Sequence, residues 1–114
     1  MPTLAWLQAL VDYHESRGFT IGCPVGALAG ELAEIDDSAR LALAASFDEW
    51  RVALRASLDR LRAAGELSTS MDADTLARAQ LSLLEGGLLL MKTERDGVTL
   101  RAATAVCLAL LGPE

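Results

Sequence analysis

His14 and Cys23 are the first two side chains in the chain that could do chemistry together, and Glu85 and Cys107 complete the short set. A thiol beside an imidazole makes a nucleophile and its base, and with more ligands the same two groups make half a zinc site. One histidine and two cysteines fall short of four zinc ligands unless carboxylates help. No nucleophile elbow, phosphate loop or paired-carboxylate motif accompanies them. The pattern points away from an enzyme and requires no metal or cofactor. His14 reads as a hydrogen-bonded imidazole at a pocket edge, and Cys107, inside an apolar helix, as core or interface. Cys23 stands just before Pro24 at a helix N-terminus, a place where a thiol pKa can fall, so redox sensing stays open. Glu85 sits within an apolar helix. It reads as a carboxylate solvated at the end of a polar stripe, with anchoring of a cationic effector or pairing across a dimer as alternatives.

Five helices must position these groups. Thr3 is the expected cap of the first, which runs to about Arg17 with Trp6, Leu7, Leu10, Val11 and His14 along one face and a stop at Gly18. The segment GFTIGCPVGALAGELAE is then a loop followed by a short helix from Pro24 to about Ala33. Asp36, Asp37 and Ser38 offer a cap for the longest helix, Ser38 to Ala64. Along it Leu43, Phe47, Trp50, Leu54, Leu58 and Leu61 step by three or four residues. Gly65 ends it. Asp72 caps a fourth helix over Ala73 to Arg95, and the Asp96–Gly97 turn leads to a last helix, Val98 to Leu111, stopped by Gly112 and Pro113.

The fourth helix is the most telling element. In LARAQLSLLEGGLLLM the polar stripe of Asp74, Arg78, Ser82 and Glu85 is narrow, and leucines cover most of the remaining circumference, so two apolar faces need partners. Gly86 and Gly87 cost about 1 kcal/mol each relative to alanine in a helix interior, which makes sense where something packs closely. The last helix, rich in alanine, permits such an approach. Two hairpins of this kind from two subunits would form a four-helix bundle about a two-fold axis.

Composition sets the outer limits. The 114 residues make one domain, 1–114, and 52% hydrophobic content with 4% aromatics favours close-packed helices: an all-α antiparallel bundle of about five, the last two forming a dimerisation hairpin. A net charge of -6, with basic residues interleaved among acids, opposes DNA binding by this chain. The sparse cysteines, the absence of a basic signal-peptide start and the interruption of the apolar run by Arg78, Gln80 and Glu85 indicate a cytoplasmic protein with no membrane partner.

Three motifs in order, GCPVGALAGELAE, then SFDEW, then LEGGLLL, make the chain similar to the C-terminal regulatory domain of TetR-family transcriptional regulators, particularly the LmrA/YxaF-like subgroup. The matching positions are Gly22, Cys23 and Pro24, then Phe47 and Trp50, then Leu84, Glu85 and Gly86, and the likeness runs from about Leu10 to Leu111. The resemblance implies a homodimer that binds a hydrophobic small-molecule effector in an apolar cavity within each subunit. It implies DNA contact only through a helix-turn-helix domain that has no counterpart in this chain.

Carried over by position, the cavity lining is Trp6, Leu10, Tyr13, His14, Cys23, Leu28, Phe47, Trp50, Leu54, Leu84 and Leu88. Trp6, Tyr13, Phe47 and Trp50 gather most of the aromatics on two helix faces expected to meet. The apolar pattern together with the family's hairpin gives a partner-facing set of Leu76, Gln80, Leu83, Gly87, Leu90, Met91, Ala103, Val106 and Leu110. The function expected is the effector-sensing domain of a TetR-type repressor. The competing reading is a structural dimerisation module whose interior is filled by side chains, and a small enzyme stands third.

Overall fold

The structure, a computed structural model, describes residues 4–111 and contains five helices: α1 Leu4–Ser16, α2 Pro24–Leu32, α3 Asp37–Ala63, α4 Ala73–Glu94 and α5 Val98–Ala109. The fold is all-α. The expected Thr3 cap and the Gly112–Pro113 stop lie outside the described residues.

Local chemistry explains the helix ends. The Asp36 carboxylate accepts from the Ala39 N–H at 3.0 Å, and the Asp72 carboxylate accepts from the Thr75 N–H at 3.0 Å, each satisfying a free donor of a first turn. At the end of α3, Gly65 takes φ +74, the Glu66 N–H donates to the Leu61 carbonyl and the Gly65 N–H donates to that of Arg62. This paired closure needs the left-handed backbone that glycine adopts without cost. α5 stops two residues short of expectation, and the Leu111 carbonyl accepts from the Ser68 and Thr69 N–H groups, pinning the α3–α4 connection to the chain's end.

α4 is the centre. It packs most extensively on α5, then on α3, and more lightly on α2. Its buried stripe, Leu76, Ala77, Gln80, Leu84, Gly87, Leu88 and Met91, repeats at three- and four-residue steps. Each of the three core clusters draws on it: Leu76 and Ala77 with Leu54, Leu58 and Leu67; Leu84 with Leu7 and Cys107; Leu88 and Met91 with Val11 and Leu100. Burying each such leucine stabilises the fold by about 1.5–3 kcal/mol before the entropy of ordering is counted. Asp74, at the start of α4, is bound by Arg51 of α3 and by Arg78 at 2.8 Å, which fixes the α3–α4 crossing electrostatically as well.

One expectation about packing is corrected. α1 packs on α5 and does not pack on α3, so the aromatic faces of the first and third helices do not meet. Trp6 lies against the Leu7–Leu84–Cys107 cluster and Trp50 against the Leu54–Leu58 cluster. The close approach signalled by the paired glycines is made by one of them, Gly87, to the alanine-rich last helix. A Cβ at Gly87 would lie 2.9 Å from Ala103 Cβ and 3.5 Å from Leu100 Cα, whereas one at Gly86 would meet nothing within 4 Å. Gly87 lets α5 lie against α4.

Candidate functional site: an open cleft between α2 and α4

The cleft has a volume of about 310 Å³ and lies between α2 and α4, with Phe47 of α3 contributing to the wall. Its α4 side comes from Glu85, Gly86, Leu88, Leu89 and Lys92, which share one helical face; its α2 side comes from Gly22, Cys23, Gly26, Ala27 and Ala29. Small residues on α2 leave the space open. Gly22 has φ +68 and is buried, and a Cβ there would press on Lys92 Cδ at 3.3 Å, so glycine is needed both for the turn into α2 and for the approach to α4.

Glu85 is the acidic group of the cleft. It is half-buried, its Oε1 is shielded from solvent and has no hydrogen-bond partner, and it forms no ion pair among the described residues. A Cβ at Gly26 would overlap Glu85 Oε2, so the carboxylate rests directly on the α2 backbone. The solvated position expected for Glu85 is therefore corrected: the side chain turns into the cleft. Lys92 is exposed, with its stem along Gly22.

Cys23 is the N-cap residue of α2 and lines the cleft next to Glu85. Burial raises its pKa first, and the Glu85 carboxylate raises it further, against a lowering by the Gly26 backbone. The reactive low-pKa thiol that its helix position left open is overturned, because desolvation and a neighbouring carboxylate outweigh the helix N-terminus. Cys107 is fully buried, with its thiol pKa pushed up to about 11 by desolvation. His14 is buried on α1 with Nδ1 unpartnered, not hydrogen-bonded at a pocket edge, and burial lowers its pKa. It does not line the cleft. No group of three or more His, Cys, Asp or Glu side chains is arranged to hold a metal among the described residues.

Of the expected lining, the cleft contains Cys23, Phe47 and Leu88. Leu54 and Leu84 are fully buried core, Trp6, Leu10 and Trp50 pack against core clusters, and Tyr13 and Leu28 are exposed, each at 47%. These residues do not form one enclosure: no α1 residue lines the cleft, and Leu10 and Val11 meet Leu88 in a packed core cluster instead. Sequence reasoning missed Gly22, Gly26, Ala27, Ala29, Gly86, Leu89 and Lys92 and misplaced Glu85. The available signal was the one-face spacing of 85, 88, 89 and 92 opposite glycines at 22 and 26.

The partner-facing set divides similarly. Leu76, Gln80 and Met91 are fully buried inside the subunit, and Gln80 Nε2 donates to the Cys107 carbonyl at 3.2 Å, bridging α4 to α5. Gly87 and Ala103 face each other, and Leu110 packs on the Leu54–Leu58 cluster. The three fully buried side chains present nothing to a partner. Leu83, Gly87, Leu90, Ala103 and Val106 border a shallow apolar groove on the outer face of the α4–α5 hairpin, and Gly86 borders both this groove and the cleft.

Residues 3–106 match the family described as the C-terminal domain of LmrA/YxaF-like transcriptional regulators, and the chain belongs to that TetR-type family. It is a regulatory domain of a transcription factor and not an enzyme. The chain is similar to the transcriptional regulator AcuR of Cereibacter sphaeroides, with 36% identity over 78 residues, covering 68% of this chain and 36% of AcuR. It thus spans about a third of that relative's length. No solved structure matches it significantly. No helix among the described residues is long and apolar enough to cross a membrane.

Proposed function

We propose that this domain senses a small, largely apolar effector in the α2–α4 cleft and homodimerises through the outer face of its α4–α5 hairpin. The observation that carries the reading is the position of α4 between the two surfaces. Glu85, Leu88 and Leu89 border the cleft, Leu83 and Leu90 border the groove, and Gly86 borders both. A concave, mainly apolar site with few polar groups is the usual form of a small-molecule pocket. The groove, with Leu90 and Val106 each 46% exposed, suits a second copy of the same hairpin about a two-fold axis.

An effector can shift an equilibrium only by binding one arrangement better than another. A molecule wedged between α2 and α4 would favour those positions of α4 that widen the cleft, and the same displacement moves Leu83 and Leu90 against the partner. Any DNA-binding region joined to the dimer would feel that change.

Sedimentation and melting experiments test both halves. The reading expects a dimer at micromolar concentration and a raised melting temperature with saturating apolar probes such as hexanol or phenethyl alcohol, the increase being lost in Phe47→Ala. A monomer at that concentration refutes the interface. Failure of every apolar and amine probe to bind refutes the cleft.

A further inference from the structure

Resting on the reading of the cleft as the effector site, we infer that its effector is an organic cation: a protonated amine on a short apolar body, its ammonium group set against Glu85. The cleft contains one shielded carboxylate oxygen without a donor, Oε1 of Glu85. An unpaired carboxylate withdrawn from water is costly, and a ligand that brings both a positive charge and N–H donors removes that cost. The carboxylate is also confined on one side. Gly26, lacking a Cβ, admits Oε2 against the α2 backbone, so the α2 wall itself holds the carboxylate in the cleft.

Among the described residues no cation pairs with Glu85. Lys92, which also borders the cleft, follows Glu85 by seven residues, about 10 Å along the helix, with its stem laid along Gly22 and the residue exposed. Cys23, the polar neighbour, is kept protonated by burial and then by the same carboxylate, so it offers Glu85 a thiol hydrogen bond and no charge. Leu88, Leu89 and Phe47 provide apolar and aromatic surface for the ligand's body, and an aromatic ring is a surface on which organic cations pack well. The chain's net charge of -6 favours approach of a cation over an anion.

Calorimetric titration of the full chain with two matched sets tests the inference: phenethylamine, phenethyl alcohol and phenylacetate, then hexylamine, hexanol and hexanoate. At least one amine should bind about tenfold or more tightly than its alcohol, with the carboxylate weakest, as a charge-assisted hydrogen bond requires. Glu85→Gln should abolish the amine's advantage while leaving alcohol binding within about threefold. Glu34→Gln, the same charge change on an exposed turn, should not alter either. Amines binding no better than alcohols, or retaining their preference in Glu85→Gln, overturn the inference while the cleft reading stands. Absence of binding by all six molecules overturns both.

Discussion

Alanine at Gly87 and alanine at Gly86 should change stability in opposite directions, although the two glycines are neighbours on one helix. Both substitutions gain about 1 kcal/mol of helix propensity. At Gly86 nothing opposes it, since an added Cβ meets no atom within 4 Å, and the variant should be stabilised by about 1 kcal/mol. At Gly87 the Cβ would lie 2.9 Å from Ala103 Cβ, well inside the usual ~3.5–4.0 Å carbon contact. α4 and α5 must then separate, and overpacking of this kind costs about 1–3 kcal/mol. Subtracting the propensity gain leaves Gly87→Ala between neutral and about 2 kcal/mol destabilised, so the two variants differ by about 1–3 kcal/mol. For a domain of this size that is a gap of about 4–12 °C in melting temperature. Thermal unfolding at one protein concentration without ligand reads it directly, and Ala103→Gly added to Gly87→Ala should recover much of the loss. Equal melting temperatures for Gly86→Ala and Gly87→Ala would refute the close α4–α5 crossing.

Other consequences follow from the buried groups. Burial lowers the pKa of His14, so the unfolded chain takes up a proton first as pH falls below 6.5, and stability should drop there; His14→Phe should flatten that part of the melting profile. Asp74, its pKa lowered by Arg78 and then Arg51, contributes stability that is present above its ordinary 3.8 and is lost as pH falls below it, so this loss begins at lower pH than that of His14. In timed alkylation followed by mass spectrometry, Cys23 should react more slowly than a free thiol at pH 8, and faster in Glu85→Gln, while Cys107 should react only on unfolding. Leu83→Glu combined with Val106→Glu should convert the dimer to monomer with little change in helix content, as read by sedimentation and circular dichroism.

Much of the fold was legible because its signals are local. The caps at Asp36 and Asp72, the stop at Gly65 and the stepping leucines of α3 act within a turn or two, and the helices begin and end within two residues of where those signals put them. Which face of α4 lies inside was not legible in the same way. Leucines at 83, 84, 88, 89 and 90 make both faces apolar, and the choice between them depends on how Gly87 seats against Ala103, a contact between positions sixteen residues apart.

The candidate site was obscured for a related reason. Aromatic residues on α1 and α3 drew attention to a pairing that α1 forgoes by packing on α5. The walls that leave space open, Gly22, Gly26 and Ala29, carry no hydrophobic signal of their own. Glu85 looked like part of a surface stripe until α2 was seen to lie over it. A cleft is made by what is small, and hydrophobic periodicity records only what is large.

Backbone amide NMR of the labelled chain, titrated in turn with phenethylamine and phenethyl alcohol, tests the account most directly. If the α2–α4 cleft is the effector site, the shifts should concentrate at Gly22, Cys23, Gly26 and the Glu85–Leu89 segment, with smaller changes at Leu90 on the dimer face. Shifts concentrated on α1 around Trp6 and Tyr13, or an unchanged spectrum at saturating probe, would contradict it.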